Sequence, residues 1–136
     1  MSELELLRNL QTQLVIFFDE LIDLLPNEPD LVVVRIFIKD KIPIVDIMSY
    51  IAEQLVPLKG MVEKRDDNFF VNHNILFEKL DDRKVNHFKR LWTSGQLDKE
   101  NKETIWKWFY AFIYLAERYS RAELVHDRRE YSRYRS

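Results

Sequence analysis

The residues of this sequence that could bind a metal ion are three histidines and two pairs of aspartates. His73, His87 and His126 lie far apart, and none has a second histidine or a cysteine at the spacing of a metal motif. Asp66–Asp67 and Asp81–Asp82 could bind a divalent cation, but each pair also precedes a predicted helix, where aspartate caps the first turn. We therefore expect surface histidines, capping aspartates, and no metal or other cofactor.

Covalent catalysis and phosphate binding lack their usual motifs in this chain. There is no cysteine, and no serine stands in a G-x-S-x-G turn. The two glycines, Gly60 and Gly95, are too far apart in sequence to form a phosphate-binding loop. With 23 acidic residues, a catalytic pair of carboxylates is compatible with the sequence, but no spacing of these residues indicates such a pair. The sequence predicts a protein that is not an enzyme.

The elements that would position any site belong to one small domain. The chain has 136 residues, of which 46% are apolar, and a net charge of −2, which is typical of a packed globular protein. No apolar run approaches the ~20 residues of a membrane span, and the N-terminus lacks the pattern of a secretory signal. We expect an intracellular protein with a helical domain over 1–130 and a basic C-terminal arm over 131–136.

Helical periodicity dominates the first half of the chain. Ser2 and Glu5 have capping-box spacing before a helix of about six turns, which Pro26 and Pro29 end. The stretch 31–38 is rich in β-branched residues and is compatible with a strand, but no second strand is evident. We favour a helix there, capped by Asp30.

The next helix opens at Pro43, and the helical pattern continues to the C-terminus. Pro57 interrupts an apolar stripe over 44–62, so the sequence predicts a kink or a junction of two helices at that proline. Asn74 is the predicted cap of a short helix that runs through Leu80. Asp81–Asp82 are predicted to cap the following helix, and Gly95, which suits the left-handed conformation, is predicted to end that second helix.

The last long helix is capped by Asp98 and is rich in aromatic residues. Two apolar stripes, one from Ile105 to Tyr119 and one from Trp106 to Ile113, give it more apolar surface than one face can hold, and Trp108 lies off both. Such a helix is central to a core or faces a partner. The sequence predicts an all-α, single-domain bundle of about six or seven helices, with this aromatic C-terminal helix at its centre.

The end of the chain is basic, whereas the first 31 residues are acidic. We expect the last helix to reach about Glu130 and to be followed by an arm of arginines and tyrosines. Aromatic side chains left over from the core and the arginines of this segment are the predicted partner-binding residues. They are Trp106, Trp108, Tyr110, Tyr114, Arg128, Arg129, Tyr131, Arg133, Tyr134 and Arg135.

Two stretches of the sequence resemble a group of viral proteins. They are RIFIKDKIPIVDIMSYI, at 35–51, and HFKRLWTSGQLDKENKETIWKWFYAFIYLAERY, at 87–119. These stretches are similar to uncharacterised helical proteins of large nucleocytoplasmic DNA viruses that infect algae and amoebae. The group has no known activity, so the resemblance implies no functional residues. It implies a context, which is the host cytoplasm, a viral factory or the virion.

Three functions are compatible with these observations. The first is a non-enzymatic protein that binds protein partners, including copies of itself, as a virion-associated or assembly component. The second is association with nucleic acid through the basic arm and through Lys84, Lys89 and Arg90. The third is a helical regulator that binds a host helix in an apolar groove. We favour the first because the overall charge is not basic.

Overall fold

The fold is an all-α bundle, as predicted. The computed structural model describes residues 2–71 and 82–135, without the side chains of 82–85, 88 and 125–135, and these residues contain no strand. The helices are α1 (Glu3–Leu24), α2 (Pro29–Ile36), α3 (Ile44–Tyr50), α4 (Lys59–Glu63), α5 (Asn68–Val71), α6 (Asp82–Thr93) and α7 (Lys99–Arg135). The buried apolar side chains form one cluster, to which α1 and α7 contribute most.

The first helix begins where the capping pattern predicts. The Glu5 backbone N–H donates to Ser2 Oγ at 3.2 Å, and 22 residues follow in helical conformation. The core side of α1 carries five buried side chains. They are Leu6, Leu10, Leu14, Phe17 and Phe18. Leu4 is 56% exposed, because it lies on the side of α1 away from the core.

The ambiguous stretch 31–38 is helical, which confirms the favoured prediction. The predicted cap at Asp30 is wrong, because Glu28 holds the cap position and α2 begins at Pro29, whose fixed φ suits the first helical position. A π-helical turn, Phe37–Lys41, continues α2. Contacts with α1 hold this segment: Arg35 Nε donates to Asp19 Oδ1 at 2.7 Å, and the Lys39 carbonyl accepts from Gln11 at 3.0 Å. Such tertiary contacts outweigh the strand propensity of valine and isoleucine.

The predicted interruption at Pro57 is confirmed. After α3 the chain forms a π-helical turn, Ile51–Leu55, and then a 3-10 turn, Val56–Leu58, that contains the proline. Proline has no N–H to donate, so a regular α-helix does not continue through it. The predicted stripe nevertheless faces the core. Its fully buried members are Met48, Ile51, Leu55 and Val62.

Asp66 of the first aspartate pair has the capping role that the sequence favoured, whereas the side chain of Asp67 contacts α6 instead. Asp66 Oδ1 accepts from the Asn68 backbone N–H at 3.0 Å, and Asp67 Oδ1 accepts from Trp92 Nε1 at 2.9 Å. The second pair is described only in part, because Asp81 lies outside the described residues while Asp82 is the first residue of α6. The helix predicted from Asn74 to Leu80 also lies outside them.

The last helix is longer than predicted. Asp98 caps it as expected, with its Oδ1 accepting from the Asn101 backbone N–H at 2.7 Å, and Gly95 before it has a φ of 85°. The helix reaches Arg135 and not about Glu130, because no proline or glycine follows Gly95 to end it. Five of the six residues of the predicted arm are therefore helical. At 1.5 Å per residue, α7 is about 55 Å long.

Candidate interaction surfaces

The tryptophans among the predicted partner-binding residues are largely internal. Trp106 is only 3% exposed, and its ring lies 5.4 Å from that of Trp92 and 5.7 Å from that of Phe69. Trp108 is half-buried, stacks on Phe112 and donates its indole N–H to Glu20 Oε2 at 2.6 Å. The sequence showed too many aromatic residues for one face of α7 but not that neighbouring helices cover Trp106. Its ring is therefore not part of the monomer's surface.

The two tyrosines of the predicted set do lie on the surface, one helical turn apart. Tyr110 and Tyr114 are 42% and 44% exposed, and the Arg118 guanidinium lies 4.9 Å from the centre of the Tyr114 ring. Lys107 and Arg121 are also exposed, and helical spacing places them on the same side. We call Lys107, Tyr110, Tyr114, Arg118 and Arg121 the α7 strip.

The remaining predicted residues belong to the last part of α7. Arg128, Arg129, Tyr131, Arg133, Tyr134 and Arg135 all have helical backbone. Their side chains lie outside the description, so their part in binding stays a prediction. On α6, Arg90 is exposed and Lys89 is partly exposed, while the side chain of Lys84 is outside the description.

A second surface was missed by the sequence analysis. Four apolar side chains on the outer side of α2 and its π-helical turn are 44–51% exposed. They are Val32, Val33, Ile36 and Phe37, and we call them the α2 face. The signal was present in the sequence: seven of the eight residues from 31 to 38 are apolar, which is more than one side of a helix can bury.

The charges at the two ends of the α2 face differ in sign. Asp30 lies in the first turn of α2, and the exposed Lys39 and Lys41 lie in the π-helical turn at the other end, with Asp40 between them. Arg35 is already engaged with Asp19 of α1. The α2 face is therefore an apolar surface with an acidic start and a mainly basic end.

The α7 strip is bordered by acids that are already paired with cations. Glu117 bonds Lys59 at 2.9 Å, and Glu103 bonds Arg65 at 2.8 Å. The hydrogen bond and charge of Glu117 raise the pKa of Lys59 above its ordinary value, and Arg65 lowers the pKa of Glu103. Each pair joins α7 to the segment around α4.

The histidines and aspartates that were considered as metal ligands have other partners where contacts are described. His87 Nε2 lies 2.8 Å from Glu28 Oε2, a contact that joins α6 to the start of α2. His73 and the side chain of His126 are outside the description. Over 2–71 and 82–135, no group of three or more histidine, aspartate or glutamate side chains is placed to hold a metal ion. Within the same ranges, no helix is long and apolar enough to cross a membrane.

Comparison with known proteins gives no relative from which a role could be carried over. No protein-family model, no curated protein and no solved structure matches this chain. The viral resemblance therefore stays a prediction, and function has to be argued from the α2 face and the α7 strip.

Proposed function

We propose that this protein is a non-enzymatic assembly component that binds a second copy of itself through the α2 face. The observation that carries the proposal is the exposure of Val32, Val33, Ile36 and Phe37 on two successive turns. Single exposed apolar residues are ordinary, but a contiguous group marks a contact site. Burying these side chains against a partner removes apolar surface from water, which stabilises the contact.

The arrangement of charge favours a second copy as the partner. A two-fold axis near Ile36 would run the two α2 segments antiparallel, and each Asp30 would then lie beside the Lys39 and Lys41 end of the other copy. One acidic end and one basic end thus complement each other twice across the same contact. The same antiparallel arrangement brings opposite ends of the two helix dipoles together.

The expected dimer is weak. A stable interface buries about 800 Å² per partner, and four half-exposed side chains supply less than that. We therefore expect a reversible dimer with a Kd of about micromolar order. Reversible contacts of this kind suit a protein that is added to a larger assembly. In the viral context that the resemblance implies, this would be a virion or its assembly site in the host cytoplasm or viral factory.

Sedimentation equilibrium on the full chain over a wide concentration range tests the proposal. The double variant Val33→Gln/Phe37→Gln should raise the dimer Kd by about tenfold or more, because it replaces the two most exposed side chains of the face with polar ones. Glutamine keeps good helix propensity, so far-UV circular dichroism should be unchanged. The matched control is Leu4→Gln/Ile16→Gln, which removes exposed apolar surface from α1 and should leave the Kd unchanged.

A charge exchange tests the antiparallel arrangement itself. Lys39→Glu/Lys41→Glu should weaken the dimer, and adding Asp30→Lys to this variant should restore it, because all the cross-dimer pairs are then reversed together. A wild-type chain that stays monomeric up to millimolar concentration would refute self-association. An equal loss in the α2 and α1 double variants would show that the α2 face is not the contact.

A further inference from the structure

The α7 strip has the composition of a site for a flexible polyanion. Its five members span about 20 Å of helix, with two adjacent rings flanked by cations, in the order Lys107, Tyr110, Tyr114, Arg118, Arg121. All five are exposed, and the three cations have no ion-pair partner among the described residues. This surface is separate from the α2 face, and the inference does not depend on the proposed function.

The charge of the strip is only partly offset by its neighbours. Glu117 is held by Lys59, and Glu103 is held by Arg65 although it also interacts with Lys107. The exposed Glu123 follows Arg121 by two residues and is the third acid near the strip. Past Arg121, positions 125, 128, 132 and 135 share the helical register of the strip, and none of them is acidic. The strip is thus locally positive on a chain whose net charge is −2. A polyanion would be drawn to this side of the molecule.

The two tyrosines discriminate between polyanions. Tyr110 and Tyr114 stand one turn apart, so their rings can take two successive bases of an extended strand, while the flanking cations contact the phosphates. Arg118 against the Tyr114 ring shows that this ring already accepts a planar cationic partner on its surface. A duplex hides its base faces, and a polyglutamate chain has no aromatic ring to stack on the tyrosines.

We propose that the α7 strip binds single-stranded nucleic acid without sequence preference, by stacking bases on Tyr110 and Tyr114 and contacting phosphates with Lys107, Arg118 and Arg121. The affinity is expected to be modest and strongly dependent on salt, because three cations supply most of the attraction.

Fluorescence anisotropy with a labelled oligothymidylate, on the full chain and at several salt concentrations, measures this binding. Lys107→Gln/Arg118→Gln/Arg121→Gln should reduce the slope of log affinity against log salt by about 2, since each phosphate contact on a single strand contributes ~0.7. Tyr110→Ala/Tyr114→Ala should weaken binding by about tenfold or more with little change in slope. Tyr110→Phe/Tyr114→Phe should bind like the wild type, because phenylalanine also stacks.

Two further variants separate this surface from the other basic surfaces. Lys89→Gln/Arg90→Gln on α6 should leave binding unchanged. Arg129→Ala/Arg133→Ala/Arg135→Ala removes the charge of the C-terminal segment and should have a smaller effect than the strip variant.

Four results would overturn the proposal. They are the absence of binding at low salt, equal or tighter binding of a duplex of the same length, equal competition by polyglutamate, and loss of binding in the C-terminal variant with none in the strip variant. Equal competition by polyglutamate would assign the strip to acidic proteins.

Discussion

The α2 face and the α7 strip are outer sides of helices that pack against the same helix, α1, yet they differ in what lies beneath them. Adjacent residues of α1 hold the two neighbours: Asp19 bonds Arg35 of α2, and Glu20 bonds Trp108 of α7. Beneath the α2 face, α2 buries only Leu31. Beneath the α7 strip, eight side chains are buried within 99–124, the part of α7 whose side chains are described. These are Ile105, Trp106, Phe109, Phe112, Ile113, Leu115, Ala116 and Tyr119.

This difference shows how apolar residues are shared between folding and binding. In the part of α7 whose side chains are described, the apolar residues other than Leu124 are buried or partly buried, and the exposed rings are tyrosines, which carry a polar hydroxyl. In the stretch 31–38 the apolar residues are divided between two sides, and four of the seven do not contribute to the core. We infer that α7 is a rigid part of the bundle, whereas α2 gains stability when its outer side is covered.

The largest expected effect is on the core that both helices share. Phe17 of α1 is fully buried, with its ring 5.4 Å from that of Phe112 and 5.8 Å from that of Phe109. Phe17→Ala should lower the free energy of unfolding by about 3–5 kcal/mol, because it leaves a cavity among these rings. Chemical denaturation followed by tryptophan fluorescence and by circular dichroism measures the loss.

The neighbouring residue provides the control for this variant. Ile16 is exposed on the same helix, so Ile16→Ala should change the free energy of unfolding by no more than about 0.5 kcal/mol. If the unfolding transitions of Phe17→Ala measured by fluorescence and by circular dichroism no longer coincided, the α2 and α7 regions would unfold as independent units and would not share one cooperative core.

The second expected effect is local and concerns α2 alone. Leu31→Ala removes the one buried side chain of α2 and should lower the free energy of unfolding by about 2–3 kcal/mol. This is the lower part of the range for leucine, because a lightly anchored helix can shift to fill the space. Native-state hydrogen exchange should show the amides of α2 exchanging by local opening, while the amides of 105–119 still require global unfolding. Uniform loss of protection in both helices would contradict the proposed difference in anchoring.

The fold was predicted correctly from sequence where a single residue determines the local backbone conformation. Asp98 as a cap, Gly95 in the left-handed conformation and the interruption at Pro57 each follow from the chemistry of one residue, and all three are confirmed. The stretch 31–38 required a choice, since β-branched residues favour a strand in isolation. The contacts of Arg35 and Lys39 with α1 are tertiary and are not contained in local propensity.

The candidate surfaces were predicted less well, because exposure depends on what packs against a helix. Trp106 and Tyr110 are aromatic residues four positions apart on the same helix, and the sequence does not distinguish them. In the fold, rings from α5 and α6 cover Trp106, whereas Tyr110 stays exposed. The α2 face was missed for the opposite reason. Its apolar run is more than one side of a helix can bury, but the run alone does not show whether another helix covers the second side. The fold leaves that side exposed within the described chain.

The smallest expected effect tests one of the two ion pairs that border the α7 strip, the pair of Arg65 with Glu103. Arg65 has a φ of 56°, unusual for a residue other than glycine, and its guanidinium both donates to the Val62 carbonyl and pairs with Glu103. The pair lowers the pKa of Glu103 below its usual 4.5, so the unfolded chain takes up more protons than the folded one. The stabilisation is therefore complete above about pH 4.5 and is lost as the pH falls through the folded-state pKa.

The wild type should be slightly more stable than Glu103→Gln at neutral pH, and this difference in the free energy of unfolding should vanish in acid. A difference that grew on acidification would show that Glu103 is not stabilised as a carboxylate by Arg65.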